Sequence, residues 1–535
     1  MTVLRAQDIA SDDTLAADVC VVGSGAAGLT LARRLDGIGR RVIVLEAGGF
    51  QHDEAAEADS FEIEHTGVPF RNPVASRGRW FGGSTNLWFG RIAKPQAIDL
   101  AHRSWVPNSG WPLTLEELVP WMDVAAEILA VPHHDKLAIE NWSANRTIET
   151  FSGDGRTDLG VFLWSTEMYM AREARPAIER SSDVVLVTDA TVTELVAERA
   201  SSISSVSVAS PGGRRFRVNA AQFVLAAGGL ENPRLLLAST GGQSNGVGNQ
   251  YDNVGRYFLD HPRGEGLARV DLRGLSAAQI ERLAFLDERV DSPYGKAQLR
   301  VVFSEELQRS EQLLNHSLHG YLIADAHRGP GFESYKRVAE RIRRRHVEDR
   351  RALVADMASM VRSMPQLVEL GLKRVRGRIQ PTEFVVVDQM EHEPDPESRV
   401  TILPRSTDQN GLPRVRLNWR IGASTRRSQH RMHELFRDAL NRAGITTFSS
   451  NVLDHPDEEL ELWDMKHPSG TTRMSASPRT GVVDDNGRVH GIDNLYVAGS
   501  SVFPTTGHFN PTLVIVALSA RLADHLARNV ASRRD

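Results

Sequence analysis

Short apolar runs that end at or near glycine recur at three separated places in the chain, and between them the pattern is different. Val19–Val22 is a continuous apolar stretch suited to a buried parallel strand, and Arg41–Leu45 is a second. Leu29, Leu31, Ala32 and Leu35 lie between them at helical spacing, before Gly37 and Gly39 break the run. Farther along, Val184–Val187 and Val192–Val196 read as short strands, and Phe223-Val-Leu-Ala-Ala-Gly-Gly229 as a buried strand that ends in glycines, with a helix starting at Leu230. Asn494–Gly499 reads as a last strand. Pro511 then opens an apolar helix reaching about Leu526, at a position where the missing proline N–H costs little.

Between these pieces, Phe384–Val387, Arg399–Leu403 and Val415–Trp419 are β-like runs separated by Pro, Asp and Gly, which predicts an antiparallel sheet forming a substrate-binding wall. Residues 334–378 read as mostly helical. They carry Lys336, Arg337, Arg341, Arg343, Arg344, Arg345, Arg350 and Arg351, interrupted by Glu340, Glu348 and Asp349. That run reads as a solvated helix face, with docking of an electron-accepting partner or an anionic surface as the other reading.

The first apolar run leads into Gly23-Ser-Gly25-Ala-Ala-Gly28. Gly23 permits a tight turn, Gly25 lets backbone approach a pyrophosphate, and Gly28 lets the following helix pack on the sheet. Phosphates then sit at a helix N-terminus. Glu46 ends the second strand about twenty residues on, where an acid suits a ribose hydroxyl and disfavours a 2′-phosphate. Arg79-Trp-Phe-Gly82-Gly83-Ser84-Thr85-Asn86-Leu-Trp88 is a glycine-rich loop suited to passing close to a cofactor, or an ordinary loop. The expectation is an α/β chain: a Rossmann-type domain assembled from discontinuous segments, plus an inserted α+β domain with an antiparallel sheet.

Composition narrows the class. The chain has 535 residues, 41% hydrophobic and 24% charged, with a formal net charge of −5, so it has room for two or more domains and no field that favours nucleic acid or an anionic membrane. Cys20 is the sole cysteine; it lies inside the first strand and excludes an internal disulfide. The N-terminus lacks a basic start with an apolar core, and no run reaches the length of a membrane span, which predicts a cytoplasmic protein without a membrane segment. No metal site is expected. His133-His134 are adjacent and read as surface histidines, and Glu391-His392-Glu393-Pro-Asp395 reads as a hydrated turn more than a cation loop. A serine hydrolase is unsupported, since no GxSxG elbow follows a strand.

The C-terminal part carries the chemistry. His467-Pro-Ser-Gly-Thr-Thr-Arg-Met and, later, Gly507-His-Phe-Asn510-Pro511-Thr512 can bring a histidine and an asparagine to one small site, able to bind a substrate hydroxyl and take its proton. With Gly23–Glu46, Gly82-Gly83-Ser84-Thr85 and Ala226-Ala-Gly-Gly-Leu-Glu-Asn-Pro233, these motifs resemble the glucose-methanol-choline (GMC) flavoprotein oxidoreductases, in particular a bacterial branch with pyranose-oxidase-like enzymes and glycoside 3-oxidases. Residues 101–180 and 266–380 match less clearly, and there the substrate would be chosen.

The resemblance implies FAD, with the isoalloxazine ring against the C-terminal motif. It implies that His467 accepts the alcohol proton as hydride passes to the flavin, and that Asn510 hydrogen-bonds the same oxygen. His508 either lines that pocket or packs beneath it. Cofactor contacts are expected from Gly23, Gly25, Ala27, Gly28, Glu46, Ala47, Gly82, Gly83, Ser84, Asn86, Val192, Ala227, Gly499, Ser500, Asn510 and Thr512. Two positions depart from the family pattern: Gly499 where many relatives have Asp, and Asn86 where some sugar-oxidising relatives have a His that attaches to the flavin. The FAD is therefore expected to be non-covalent. The implied domains are an FAD domain from 1–100, 183–265 and 461–535 and a substrate domain from 101–182 and 266–460. The expected reaction converts a secondary alcohol, on a sugar or glycoside ring, to a ketone, with oxygen or a quinone as final acceptor. A non-sugar alcohol, a lyase that keeps FAD without using its redox chemistry, and a flavin-binding scaffold without turnover are the alternatives.

Overall fold

The computed structural model describes residues 2–70, 76–142, 145–166, 169–287, 290–324, 332–335, 337–339, 350–364, 380–458 and 460–531. The apolar runs at the two ends and near the middle converge on one eight-stranded sheet. Thr14–Val22 lies at its centre, parallel to Val42–Leu45 on one side and to Arg215–Leu225 on the other. Val184–Thr188 pairs in parallel beyond Val42–Leu45, and Leu495–Val497 pairs in parallel with Phe223–Leu225. Thr191–Val196 and Ser205–Ala209 extend the Arg215–Leu225 side as an antiparallel hairpin. Val19, Val42–Val44 and Phe223–Leu225 are fully buried, as continuous apolar strands in a sheet covered on both faces must be. Cys20 is buried among them.

Helix Ala26–Leu35 follows the first strand directly, because Gly23 takes a φ of 103° and turns the chain. Gly28 is obligatory for a different reason: a Cβ there would lie 1.9 Å from the Gly23 carbonyl oxygen. The last helix, Thr512–Ala531, runs past the expected end near Leu526 and packs on Ala26–Leu35 and on Leu115–Ile128. Pro511 stands just outside it, where its carbonyl accepts the Ile515 N–H at 2.9 Å.

A second, nine-stranded sheet is antiparallel and contains Thr157–Trp164, Pro262–Asp271, Gly295–Phe303, His316–Ile323 and Glu383–Met390. Here the structure corrects the expected wall. Only the first of the three β-like runs, within Glu383–Met390, belongs to this sheet. Arg399–Thr407 and Pro413–Trp419 form a separate three-stranded sheet with Ile63–Gly67, which pairs with Pro413–Trp419 in parallel. Trp419, Phe70 and Phe258 form a small core beneath it, together with Leu230 of the helix that follows Arg215–Leu225.

Within 334–378, Arg350–Arg362 is helical and Arg337 pairs with Asp356 at 2.6 Å. Lys336, Glu340, Arg341, Arg343, Arg344, Arg345, Glu348 and Asp349 lie outside the described residues. The expected hydrated turn at 391–395 is also corrected. Glu391 is fully buried in a two-pronged ion pair with Arg103, and buried His392 bonds the Arg420 carbonyl. His133 is exposed, and His134 bonds Asp123 at 2.7 Å.

Candidate active site

A cavity of about 700 Å³ runs along the carboxyl ends of the central parallel strands and ends at the C-terminal motif. Gly23, Gly25, Ala27, Glu46 and Ala47 line its first part, followed by Gly83, Ser84, Val192 and Ala227. Gly499, Ser500, Thr512, Asn510 and His467 line its other end. Four of the expected residues are not on its wall: Gly28, which is the packing glycine above, Gly82, Asn86 and His508. Asn86 turns its amide back to the Phe81 carbonyl at 3.0 Å, and a Cβ on Gly82 would strike it.

The wall fits a long, flat, phosphate-bearing cofactor. A Cβ on Gly25, Gly228 or Gly499 would project into open space, and each of these glycines lines the cavity. Gly83 approaches Gly25 so closely that its own Cβ would lie 2.9 Å from the Gly25 Cα. Ser24, absent from the sequence-derived set, holds this corner together: its hydroxyl donates to Glu46 at 2.6 Å and accepts the Gly82 N–H at 3.1 Å. Glu46 also accepts the Ser24 and Gly48 N–H groups, both at 3.0 Å. Burial pushes its carboxyl above the ordinary range against these bonds. Farther on, Arg77 and Arg234 share Glu231, and Arg234 also pairs with Asp408.

Asn232 ties the middle motif to the last. Its side chain accepts from Ala227 N and donates to the Ala498 carbonyl and the Ser501 hydroxyl. Gly229 completes the junction, since a Cβ there would lie 2.2 Å from the Pro468 carbonyl oxygen, one residue from His467.

At the other end of the cavity, His467 Nε2 is 3.5 Å from Asn510 Nδ2, and the buried Asn510 Oδ1 has no hydrogen-bond partner among the described residues. His467 Nδ1 faces His261 Nδ1 at 3.0 Å. Asp260 accepts the backbone N–H groups of His261, Met465 and His467. Burial, then His261, Arg300 and Arg91, hold the His467 imidazole well below its usual range, which keeps it neutral and able to accept a proton. His508 packs beneath: it is buried, 3.1 Å from Asn315 Nδ2, edge-on to Phe162, and pushed down to about 3 by burial and by Arg300. Asp260, His261 and His467 together have the composition of a metal cluster. The Asp260 oxygens, however, already accept three N–H groups. Sequence reasoning missed Asp260 and His261, which fall in no glycine-rich or Pro-initiated motif.

The opening near His467 is charged and aromatic, lined by Trp88, Phe89, Arg91, Trp164, Arg263, Glu265, Trp463, Asp464 and Lys466. Arg263 pairs with Glu265 at 2.8 Å, and Arg91 stacks over Trp164.

Residues 18–252 match the model of the FAD-dependent oxidoreductases, and residues 394–519 that of the GMC oxidoreductase C-terminal region. Paromamine 6′-oxidase from Streptomyces fradiae is 26% identical over 98% of this chain and 93% of its own length. The 2-methyl-1,2-propanediol dehydrogenase of Mycolicibacterium austroafricanum is 23% identical over 96% and 95%. In fold, pyridoxine 4-oxidase from Mesorbium loti superposes with a TM-score of 0.54 at 18% identity, covering 95% of this chain and 98% of that one. The two matches are to different parts of the chain, which thus joins an FAD-dependent oxidoreductase domain to a GMC oxidoreductase C-terminal domain, the two parts of an FAD-dependent oxidoreductase.

Proposed function

We propose that this protein oxidises a ring hydroxyl of a sugar or glycoside to the ketone, with non-covalently bound FAD, and that His467 and Asn510 hold the reacting oxygen. The observation that carries the reading is the convergence of His467 Nε2 and the Asn510 amide, 3.5 Å apart, on the end of the cofactor-sized cavity. FAD, when bound, supplies the acceptor for the hydride from the alcohol carbon. His467, held neutral by burial, takes the hydroxyl proton, and Asn510 hydrogen-bonds the same oxygen and fixes the carbon's position. Glu46 and the Gly23–Gly28 turn hold the nucleotide end, with Ser24 keeping the carboxylate in place. Thus the hydroxyl oxygen loses its proton to the imidazole and the carbon its hydride to the cofactor, and oxygen or a quinone restores the oxidised state.

A sugar is favoured over a sterol by the opening, where Arg91, Arg263, Glu265, Asp464 and Lys466 alternate with tryptophans. Such a wall hydrogen-bonds many hydroxyls and stacks on the apolar face of a pyranose, and an extended hydrocarbon would leave those charges desolvated. The relatives named for paromamine and a propanediol agree with a hydroxylated substrate.

The test is anaerobic mixing of the yellow protein with D-glucose, methyl β-D-glucopyranoside, 1,2-propanediol and pyridoxine. Bleaching by the sugars, with a keto-sugar as product, supports the proposal, and bleaching by the diol or pyridoxine alone overturns the sugar reading. His467→Ala should keep FAD and slow reduction by roughly 10²- to 10⁴-fold.

A further inference from the structure

We propose that His261 is a positioning residue: it fixes the tautomer of His467 so that the bare ring nitrogen is the one facing the cavity. The proposal rests on the reading of His467 as the proton acceptor. The Gly507 carbonyl oxygen lies 3.0 Å from His261 Nε2. A carbonyl only accepts, so His261 Nε2 carries the hydrogen. His261 is buried and held neutral, pushed down to about 4 by that burial, so its Nδ1 is a lone pair. His467 Nδ1 is 3.0 Å from it. Two ring nitrogens at that distance share one proton, and only His467 can supply it. His467 is therefore the Nδ1–H tautomer, and its Nε2 lone pair points to Asn510 and the cavity.

The backbone holds this chain of bonds. Asp260 receives the N–H groups of both histidines, at 2.6 Å from His261 and 2.9 Å from His467, so a single carboxylate sets the distance between them. The rings are nearly perpendicular, at 88°, with centroids 5.2 Å apart, which lets a nitrogen of each meet in line. Gly507 in turn belongs to the segment that carries Asn510, so the same relay links both reacting side chains. A free neutral imidazole prefers hydrogen on Nε2. Without His261 that preference would turn an N–H toward the substrate hydroxyl, where a lone pair is needed. When His467 takes the substrate proton it becomes an imidazolium that still donates to Nδ1 of a neutral His261, whereas a protonated His261 would oppose that charge as the arginines do. The other groups acting on His467 are Arg300 and Arg91, both opposing that charge, and His261 itself feels Glu391 and Arg300.

The proposal is tested with His261→Leu, His261→Asn and His467→Ala, each with FAD content matched by absorbance. The rate of flavin reduction is measured by stopped flow across pH with D-glucose, or with the member of the panel that bleaches fastest. His261→Leu should slow reduction by about 10- to 100-fold, by analogy with the loss when the partner that orients a metal-bound imidazole is removed. His261→Asn should recover most of the rate, because its amide oxygen can stand where the Nδ1 lone pair was. Nitrogen NMR of the histidine-labelled proteins, with the His467→Ala spectrum identifying the signal, should show the protonated nitrogen of His467 moving from Nδ1 to Nε2 in His261→Leu. Wild-type reduction in His261→Leu beside a slow His467→Ala overturns the positioning role alone. A fast His467→Ala removes the underlying base assignment. Equal slowing in the Leu and Asn variants, with the His467 tautomer unchanged, reduces His261 to packing and also overturns the proposal.

Discussion

Replacing Gly229 with alanine should push helix Gly228–Ala238 away from the segment that carries His467. The added Cβ would lie 2.2 Å from the Pro468 carbonyl oxygen, 2.5 Å from its carbon and 2.8 Å from its Cβ. Gly229 does not use the left-handed backbone region, so the alanine itself is unstrained and the whole penalty comes from contact. No rotamer relieves it, because the obstacle is backbone. Restoring ordinary contact at 3.4 Å requires about 1 Å of separation. Pro468 cannot yield alone: its carbonyl accepts the Ser500 hydroxyl at 2.6 Å, and Thr471 bonds the Gly229 carbonyl at 2.6 Å. The shift is passed to His467, the preceding residue. Misplacing a reacting group by about 1 Å costs up to about 10²-fold in rate, and the overpacking should cost about 1–3 kcal/mol in stability. Stopped-flow flavin reduction and thermal melting measure both, with Gly241→Ala as control, since a Cβ there meets only the Glu194 carboxylate at 3.8 Å. Wild-type reduction and melting in Gly229→Ala would refute the reasoning.

Three further outcomes follow from the same geometry. Glu46→Gln turns an acceptor of three hydrogen bonds into an amide whose NH₂ must oppose one of the Ser24 or Gly48 donors, so FAD affinity should fall by about 1–3 kcal/mol. Fluorescence titration of the apoprotein reads it, and unchanged affinity assigns the ribose contact elsewhere. Acid precipitation should release FAD into the supernatant, because Asn86 faces Phe81 and the only thiol is buried; a flavin adduct on a peptide would contradict this. His508, lowered from 6.5 to about 3 in the folded chain, takes up its proton more readily when unfolded. Its contribution is therefore complete above pH 6.5 and lost as pH falls toward 3. Urea unfolding of His508→Asn across that window should depend less steeply on pH than wild type, and an unaltered slope would contradict the buried neutral state.

The parallel sheet was legible because its strands announce themselves locally. Val19–Val22, Val42–Leu45 and Phe223–Leu225 are continuous apolar runs, and Gly23 and Gly28 meet steric demands that no other residue satisfies. The antiparallel part was read less well for an equally physical reason. Which strand pairs with which is decided by contacts far apart in the chain, so Arg399–Thr407 and Pro413–Trp419 look like neighbours of Glu383–Met390 yet join Ile63–Gly67. Helix Ala423–Arg442 was not anticipated either, although Met432, Leu435, Phe436, Ala439 and Leu440 lie on its buried face.

The candidate site divides along the same line. Motif residues such as Gly25, Glu46 and Asn510 reach the cavity from where a strand ends or a helix is about to begin, and His467 reaches it from the loop after Trp463–Asp464. His508 and His261 reverse what sequence distance indicates. His508 is two residues from Asn510, yet it faces the Asn315 side, away from the cavity wall; His261 is 206 residues from His467 and lies within hydrogen-bonding distance of it. The difference is one of partners, not of residue type. Both imidazoles are buried and neutral, but only His261 has a carbonyl on one nitrogen and a second imidazole on the other, which gives its protonation a direction. Proximity in the chain reports which residues share a loop. The role of a histidine follows from the donor and acceptor at each ring nitrogen, and those are set only once the two sheets have been brought together.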